Sequence, residues 1–147
     1  MSANPSANRQ LVEKYFDLLM KKDLVGWAEL LDDEVRQENP FAPAGIPEVY
    51  PNKEYILNFY GKTFKTRKDH VFTLDAIHET LDPSVVIVEA RARSIIGEVN
   101  RVYEQRYVFV FKIRNGKVLV NREYFNPLAY LKAWDGITVD AVAALKS

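Results

Sequence analysis

The chain has 147 residues, of which 48% are hydrophobic and 12% aromatic, and its formal net charge is zero. This length suits one domain with a sizeable core, and the balanced charge argues against a nucleic-acid binder that depends on phosphate contacts. The absence of cysteine excludes disulfides, thiol nucleophiles and cysteine-ligated metals. Two histidines are too few for a histidine-rich metal site, and we expect no cofactor.

Hydrophobic runs and the N-terminal segment indicate where the protein resides. No apolar run approaches the roughly 20 residues of a membrane span, and the N-terminal MSANPSANRQ lacks the apolar core of a signal peptide. We therefore expect a soluble, cytoplasmic protein with one domain, residues 1–147, of which residues 1–7 form a flexible N-terminus. Neither nucleic acid nor membrane is expected as a partner.

Helical spacing dominates the first part of the chain. Residues 7–23 place apolar side chains on one stripe, with Asn8 as a plausible N-cap. Residues 23–31 predict a second, short helix. A weakly alternating strand at residues 33–41 and a proline-rich loop follow, and residues 52–64 return to helical spacing.

The second half of the chain predicts strands. They are expected at residues 70–81, 84–96, 101–114 and 117–127. Asn115-Gly116 is a strong hairpin signal, since both residues tolerate positive φ. After Asn126-Pro127 the pattern becomes helical again. The order of elements predicts an α+β fold in which helices cover one face of an antiparallel sheet.

Alternation sorts the strand residues between two unlike faces. The aromatic-rich set, expected to face the helices, is Tyr103, Gln105, Tyr107, Phe109 and Phe111. In the last strand, the expected inner set is Leu119, Asn121, Glu123 and Phe125, and the expected outer set is Val118, Val120, Arg122 and Tyr124. Small residues on the inner face of segment 84–96 leave room for a ligand.

The register of the last hairpin conflicts with this sorting. A two-residue turn at Asn115-Gly116, continued without interruption, pairs Phe109 with Arg122. The alternation requires Phe109 to share a face with Glu123 instead. A β-bulge or a longer turn would reconcile the two, and the sequence leaves the choice open.

Two segments resemble a known family. NREYFNPLAYLKAW (residues 121–134) and ENPFAPAGIP (residues 38–47) are similar to the SnoaL-like group of the nuclear transport factor 2-like superfamily, and most of all to the phenazine-biosynthesis proteins PhzA and PhzB. The resemblance implies a cone-shaped α+β fold, in which a curved, mostly antiparallel sheet wraps around N-terminal helices and encloses a pocket. It also implies a homodimer formed through the outer sheet face. The superfamily includes isomerases, epoxide hydrolases, cyclases, dehydratases and binding proteins, so fold does not name the chemistry.

The resemblance carries over one site residue. The pocket acid of the phenazine-biosynthesis proteins corresponds to Glu123, where the motif matches directly. Their pocket histidine has no counterpart, because neither His70 nor His78 lies in a matching motif. The acid pair of ketosteroid isomerases and the Asp-Arg-Asp set of limonene epoxide hydrolases cannot be assembled here.

Glu123 is the candidate catalytic residue. In an aromatic cavity, desolvation would raise its pKa and suit it to acid/base work near neutral pH. The alternative is an ion pair with an arginine on the sheet surface. The candidate ligand-binding residues are Tyr15, Trp27, Asn39, Phe41, Tyr55, Phe59, Tyr103, Gln105, Tyr107 and Asn121. For the segment EARAR (residues 89–93), a surface Glu–Arg ladder is favoured over a catalytic cluster.

Two functions of different class remain. The first is a cofactor-independent isomerase, cyclase or dehydratase that uses Glu123 as general acid/base on an aromatic or apolar metabolite. The second is a ligand-binding or structural pocket protein without chemistry. A protein adaptor would require an exposed apolar patch that the sequence does not clearly show.

Overall fold

A computed structural model describes residues 6–135. The helices are α1 (Ala7–Met20), α2 (Leu24–Glu29), α3 (Lys53–Thr66) and α4 (Pro127–Asp135). The strands are β1 (Leu31–Glu38), β2 (Val49–Tyr50), β3 (Arg67–Glu79), β4 (Val85–Ile96), β5 (Arg101–Arg114) and β6 (Lys117–Phe125). The α+β class is confirmed, and the predicted loop before α3 contains the short strand β2.

The strands form one six-stranded sheet in the order β2-β1-β6-β5-β4-β3. All neighbours pair antiparallel except β1 and β6, which run parallel. The helices pack against the inner face, where the largest fully buried side chains are Trp27, Tyr15, Phe16, Phe109 and Phe111. The aromatic inner face predicted for β5 and the small-residue inner face predicted for β4 are both confirmed by burial.

A β-bulge at Leu119 resolves the register of the last hairpin. Asn115 and Gly116 adopt φ of 51° and 73° in the tight turn. Ile113 pairs with Val118, but Lys112 pairs with Val120, so one extra residue of β6 is inserted between them. As a result, Phe109 pairs with Glu123 rather than with Arg122.

The same bulge corrects one face assignment. Val118 was expected on the outer face of the sheet, but its side chain is completely buried in the core. The alternation that starts from the turn places Val118 inside. The extra residue then resets the alternation, so that Asn121, Glu123 and Phe125 also face inward.

The start of α1 also differs from the prediction. Ser6, not Asn8, is the N-cap, and its hydroxyl accepts a hydrogen bond from the backbone N–H of Arg9 at 3.1 Å. The Asn8 amide instead donates to the carbonyl oxygen of Pro83 at 2.7 Å. Residues 6 and 7 are therefore part of the helix start, and residues 1–5 of the predicted flexible segment lie outside the described residues. Within residues 6–135, no helix has the length and apolar character needed to cross a membrane.

Candidate active site

An aromatic cavity of about 80 Å³ lies between the helices and the inner face of the sheet. Its aromatic wall consists of Tyr50, Phe59, Tyr60, Phe72, Tyr103, Tyr107, Phe109, Phe125 and Tyr130. The polar side chains in the wall are Gln37, Asn39, Thr63, Arg67, His70 and Glu123, and Leu19 and Ile46 complete it. Few polar groups in an apolar concavity are typical of a small-molecule site.

Glu123 lies on the inner face of β6, and its carboxylate accepts hydrogen bonds from several elements. The Asn121 amide donates to Oε1 at 3.0 Å, and the Gln37 amide on β1 donates to Oε2 at 3.1 Å. The hydroxyl of Tyr60 on α3 lies 3.3 Å from Oε1. In the part of the chain that the structure describes, Glu123 has no arginine partner on the sheet surface, which was the alternative explanation for this acid.

Burial sets the proton affinity of this carboxyl. Desolvation raises the pKa of Glu123 to about 7 from an ordinary value of 4.5. Hydrogen bonds from Asn121 and Tyr60, together with the positive charge of Arg67, oppose this rise without cancelling it. Near neutral pH the carboxyl is therefore present in both forms and can accept or donate a proton.

Buried polar side chains in and behind the cavity wall hold the Glu123 donors in place. The Asn121 amide also donates to the Tyr15 hydroxyl at 3.0 Å, and the Tyr15 ring packs against Trp27. Burial, and secondarily the charge of Glu123, raises the pKa of Tyr15, so this phenol stays protonated. The Gln37 amide donates a further hydrogen bond to Asn39 Oδ1 at 3.1 Å.

At the opposite end of the cavity, Gln105 positions Tyr103. The Gln105 amide donates to the Tyr103 hydroxyl and to the carbonyl oxygen of Asn126, both at 2.9 Å. Its Oε1 accepts from the Asn126 backbone N–H at 2.9 Å. Burial raises the pKa of Tyr103, and hydrogen bonds with Gln105 and Tyr107 partly offset this rise. Because the Gln105 amide supplies a donor to the phenol oxygen, the Tyr103 O–H proton is available to a molecule in the cavity.

Comparison with known proteins identifies the family. A family model described as the SnoaL-like domain matches residues 12–121. The chain belongs to the SnoaL-like domain family. An uncharacterized PhzA/B-like protein of Pseudomonas aeruginosa is 30% identical over 124 residues, which are 84% of this SnoaL-like chain and 87% of the relative. The resemblance to the PhzA/B proteins is thus confirmed.

Solved structures show the fold of this SnoaL-like chain. A Bacillus subtilis protein provisionally named an isomerase aligns with a TM-score of 0.80 and 27% identity, covering 88% of this chain and 94% of the other. A phenazine biosynthesis-related protein of Pseudomonas aeruginosa gives a TM-score of 0.75 at 25% identity, covering 88% and 85%. The fold is therefore the nuclear transport factor 2-like fold, as predicted.

The structure separates the predicted site residues of the SnoaL-like chain into groups. The cavity wall contains Glu123, Asn39, Phe59, Tyr103 and Tyr107. Behind the wall lie Tyr15, Gln105, Asn121 and Trp27, all buried. Phe41 and Tyr55 lie outside the cavity, contrary to expectation. Phe41 is 58% exposed against Tyr124 on the outer face, and Tyr55 is 39% exposed on the solvent side of α3, against Tyr50.

Several cavity residues were not among the candidates. Gln37 alternates with Val35 on the buried side of β1, and the buried Asn39 follows the strand, so this pattern could have revealed Gln37. Tyr60 has the spacing of a core residue in α3, which conceals its hydrogen bond to Glu123. Arg67 and His70 are three positions apart on β3, so strict alternation would send them to opposite faces.

A bulge in β3 brings both Arg67 and His70 inward. The register shifts between Lys68 and Val71, and Asp69 adopts a φ of 49° there. The His70 ring packs on Phe72 at 4.6 Å between ring centroids. Burial, with the charge of Arg67, lowers the pKa of His70 to about 4, so its imidazole is neutral in the cavity at physiological pH.

The outer face of the sheet carries the charged ladder expected for EARAR. Arg91 pairs with Asp75 at 2.8 Å, and Arg93 lies 3.7 Å from Glu104. On the same face, Nε2 of the exposed His78 is 2.8 Å from Oε2 of Glu89. These contacts confirm the structural interpretation of this segment. Among the described residues, no group of three or more His, Asp or Glu side chains could hold a metal ion.

Proposed function

We propose that this SnoaL-like protein is a cofactor-independent enzyme that uses Glu123 as general acid/base on a small aromatic or apolar metabolite. The observation that carries the proposal is the Glu123 carboxyl inside an aromatic cavity, with a pKa raised to about 7 by burial. A catalytic acid/base works best when its pKa is close to the operating pH.

The reaction class follows from what one carboxyl can do. Ionised Glu123 removes a proton from a carbon next to a carbonyl group and leaves an enolate. In a β,γ-unsaturated substrate the protonated carboxyl then returns the proton to the γ carbon, so the C=C bond moves into conjugation with the carbonyl group without an oxidant or reductant. In a dehydration, the protonated carboxyl instead gives its proton to a leaving hydroxyl group, which departs as water. Isomerisation, dehydration and cyclisation share this proton transfer.

Tyr103 suits the complementary role. An enolate concentrates negative charge on oxygen, and a fixed O–H donor in a water-poor site stabilises that charge. The phenol is held by Gln105 at 2.9 Å and lies in the cavity wall. The residues around Glu123 itself are occupied as donors to the carboxylate, so the oxyanion donor has to come from elsewhere in the wall.

A titration of Glu123 tests the proposal directly. Carbon-13 labelled glutamate gives one carboxyl signal per residue, and the signal missing in Glu123→Gln identifies Glu123. We expect a pKa near 7. A value at or below about 4.3, the unperturbed value for glutamate, would contradict acid/base work by this residue.

Proton exchange in heavy water tests catalysis without a known substrate. Small cyclic ketones are incubated with the wild-type protein, and deuterium incorporation next to the carbonyl is followed by NMR. We expect incorporation that is lost in Glu123→Gln and kept in Glu29→Gln, which removes an exposed carboxyl from α2. Binding of these ketones with no exchange above the Glu123→Gln background would favour the non-catalytic pocket protein.

We also propose a homodimer formed through the outer sheet face. This face carries the exposed apolar residues Phe41, Val71 and Val108 beside the charged ladder, a mixture suited to a polar subunit interface. Val108→Asp should convert the dimer to a monomer. Sedimentation that shows only monomer for the wild-type protein at micromolar concentration would remove the proposal.

A further inference from the structure

The Arg67 side chain in the cavity wall is held by aromatic rings rather than by a carboxylate. Its guanidinium carbon lies 4.9 Å from the ring centroid of Tyr103 and 5.6 Å from that of Trp134. These distances are those of cation–π contacts. Arg67 is partly buried and lines the same cavity as Glu123.

The hydrogen-bonding capacity of Arg67 is unused among the described residues. Its Nε is buried without an acceptor, and it takes no part in any ion pair between described residues. The indole Nε1 of the neighbouring Trp134 is also buried, without a partner within residues 6–135. Buried polar groups are almost always paired, because an unpaired donor loses its bonds to water and gains nothing in return.

We propose that Arg67 forms an anion subsite, and that the ligand of this cavity is a small aromatic or apolar molecule bearing a carboxylate. This inference rests on the proposed function in one respect, the part of the ligand that reacts. Glu123 would act on the part of the ligand that lies away from the carboxylate. The subsite itself would exist equally in a protein that only binds.

The geometry favours a carboxylate over other anions. The guanidinium carbon lies over the Tyr103 and Trp134 rings, and the buried Nε–H at the edge of the planar group has no acceptor among the described residues. A planar carboxylate matches such an edge with two parallel hydrogen bonds.

The other polar groups of the cavity wall are not suited to bind the carboxylate of the ligand. Glu123 is an acid and repels an anion when it is ionised. His70 is neutral at physiological pH and supplies a hydrogen bond but no charge. Among the described residues that line the cavity, Arg67 therefore provides the positive charge.

Benzoate and benzamide test the subsite, because they have nearly the same shape and differ in charge. Binding of each is measured by NMR titration of the full-length protein. Arg67→Met keeps an apolar stem but removes the guanidinium, and Lys68→Met is the matched control at the adjacent exposed position. The Nε–H signal of Arg67, assigned by its absence in Arg67→Met, reports contact directly.

We expect the wild-type protein to bind benzoate about ten- to hundredfold more tightly than benzamide, the range for hydrogen bonds to a charged group. The preference should disappear in Arg67→Met and persist in Lys68→Met, and benzoate should shift the Arg67 Nε–H signal. Equal binding of the two probes, or no detectable binding of either, overturns the inference. If Arg67→Met does not fold, the wild-type preference for benzoate over benzamide decides alone.

The subsite and the proposed function fail in different ways. A Glu123 pKa near 7 without a preference for benzoate removes the anion subsite and leaves the acid/base proposal in place. A preference for benzoate with an ordinary Glu123 pKa keeps the subsite and removes the catalytic proposal.

Discussion

The side-chain amide of Asn121 donates a hydrogen bond to the carboxyl of Glu123, at 3.0 Å, from two positions earlier on the same strand. The same amide donates to Tyr15 on α1 at 3.0 Å, so the orientation of the carboxyl is tied to the helix layer. A hydrogen bond to the charged form of an acid lowers its pKa. Asn121 therefore limits how far burial can raise the pKa of Glu123.

Asn121→Leu should raise the pKa of Glu123 above its wild-type value. The substitution removes a donor to the carboxylate while the surrounding burial is kept, so the ionised form becomes less favourable. The shift is measured by carbon-13 NMR titration. Asn58→Leu, at an exposed position of α3, is the control and should leave the titration unchanged. A lower pKa in Asn121→Leu would show that the amide does not stabilise the ionised form.

Tyr60→Phe should also raise the pKa of Glu123 and slow any deuterium exchange. The phenol lies 3.3 Å from Glu123 Oε1 and 2.9 Å from Gln37 Oε1, so its loss removes a donor shared by both. Tyr55→Phe makes the same chemical change on the exposed side of the same helix. The carboxyl titration and the exchange rate are compared for the two variants. Equal effects would mean that the hydroxyl of Tyr60 has no particular role.

Glu123→Gln should become more stable relative to wild type as the pH rises. The folded-state pKa of about 7 lies above the ordinary 4.5, so the folded protein keeps a proton that the unfolded chain releases. The stability that this proton provides is complete below about pH 4.5 and is lost as the pH rises through 7. The difference in unfolding free energy should therefore move in favour of the variant by up to about 3 kcal/mol between pH 4.5 and 8.

Urea denaturation at a series of pH values measures that difference. Glu29→Gln provides the control, because Glu29 is exposed on α2, away from the outer sheet face. A difference that stays constant across this pH range would mean that Glu123 titrates normally in the folded protein.

His70→Gln should show the opposite pH dependence. The folded-state pKa of about 4 lies below the ordinary 6.5, so the unfolded chain takes up a proton before the folded protein does. The wild-type protein should lose stability relative to the variant as the pH falls from 6.5 towards 4, by up to about 3 kcal/mol. The same denaturation series measures the effect, with His78→Gln on the exposed outer face as control. A similar profile for both variants would place His70 in water.

The sequence predicted more of the fold than of the site. Periodicity identified the helices, the long strands and the inner face of β5. Each of these patterns repeats over many residues, so one residue that departs from the pattern does not change the assignment. It failed where one extra residue changes the alternation. Val118 was assigned to the wrong face for this reason, and the inward positions of Arg67 and His70 depend on a bulge at Asp69.

The placement of Phe41 shows a second kind of failure. An aromatic residue in a loop has no periodicity that assigns it to a face, and it packs on Tyr124 outside the cavity. Tyr60 shows the opposite case. Its helical spacing predicts that the ring is buried, but the spacing gives no information on whether the hydroxyl has a hydrogen-bond partner. Hydrogen bonds between distant segments, such as that between Gln37 and Glu123, have no signal in one sequence.

The sequence by itself determined that this chain forms an α+β domain with an acid near the end of its last strand and with many aromatic residues to surround it. Only the tertiary structure decided that Glu123 faces the cavity. Two local signals, the Asn115-Gly116 turn and the alternation of the strand, disagree about its direction. The bulge at Leu119 satisfies both the tight turn and the inward position of Glu123. It disrupts one step of the hydrogen-bond ladder, and the burial of the apolar face of the sheet outweighs this cost.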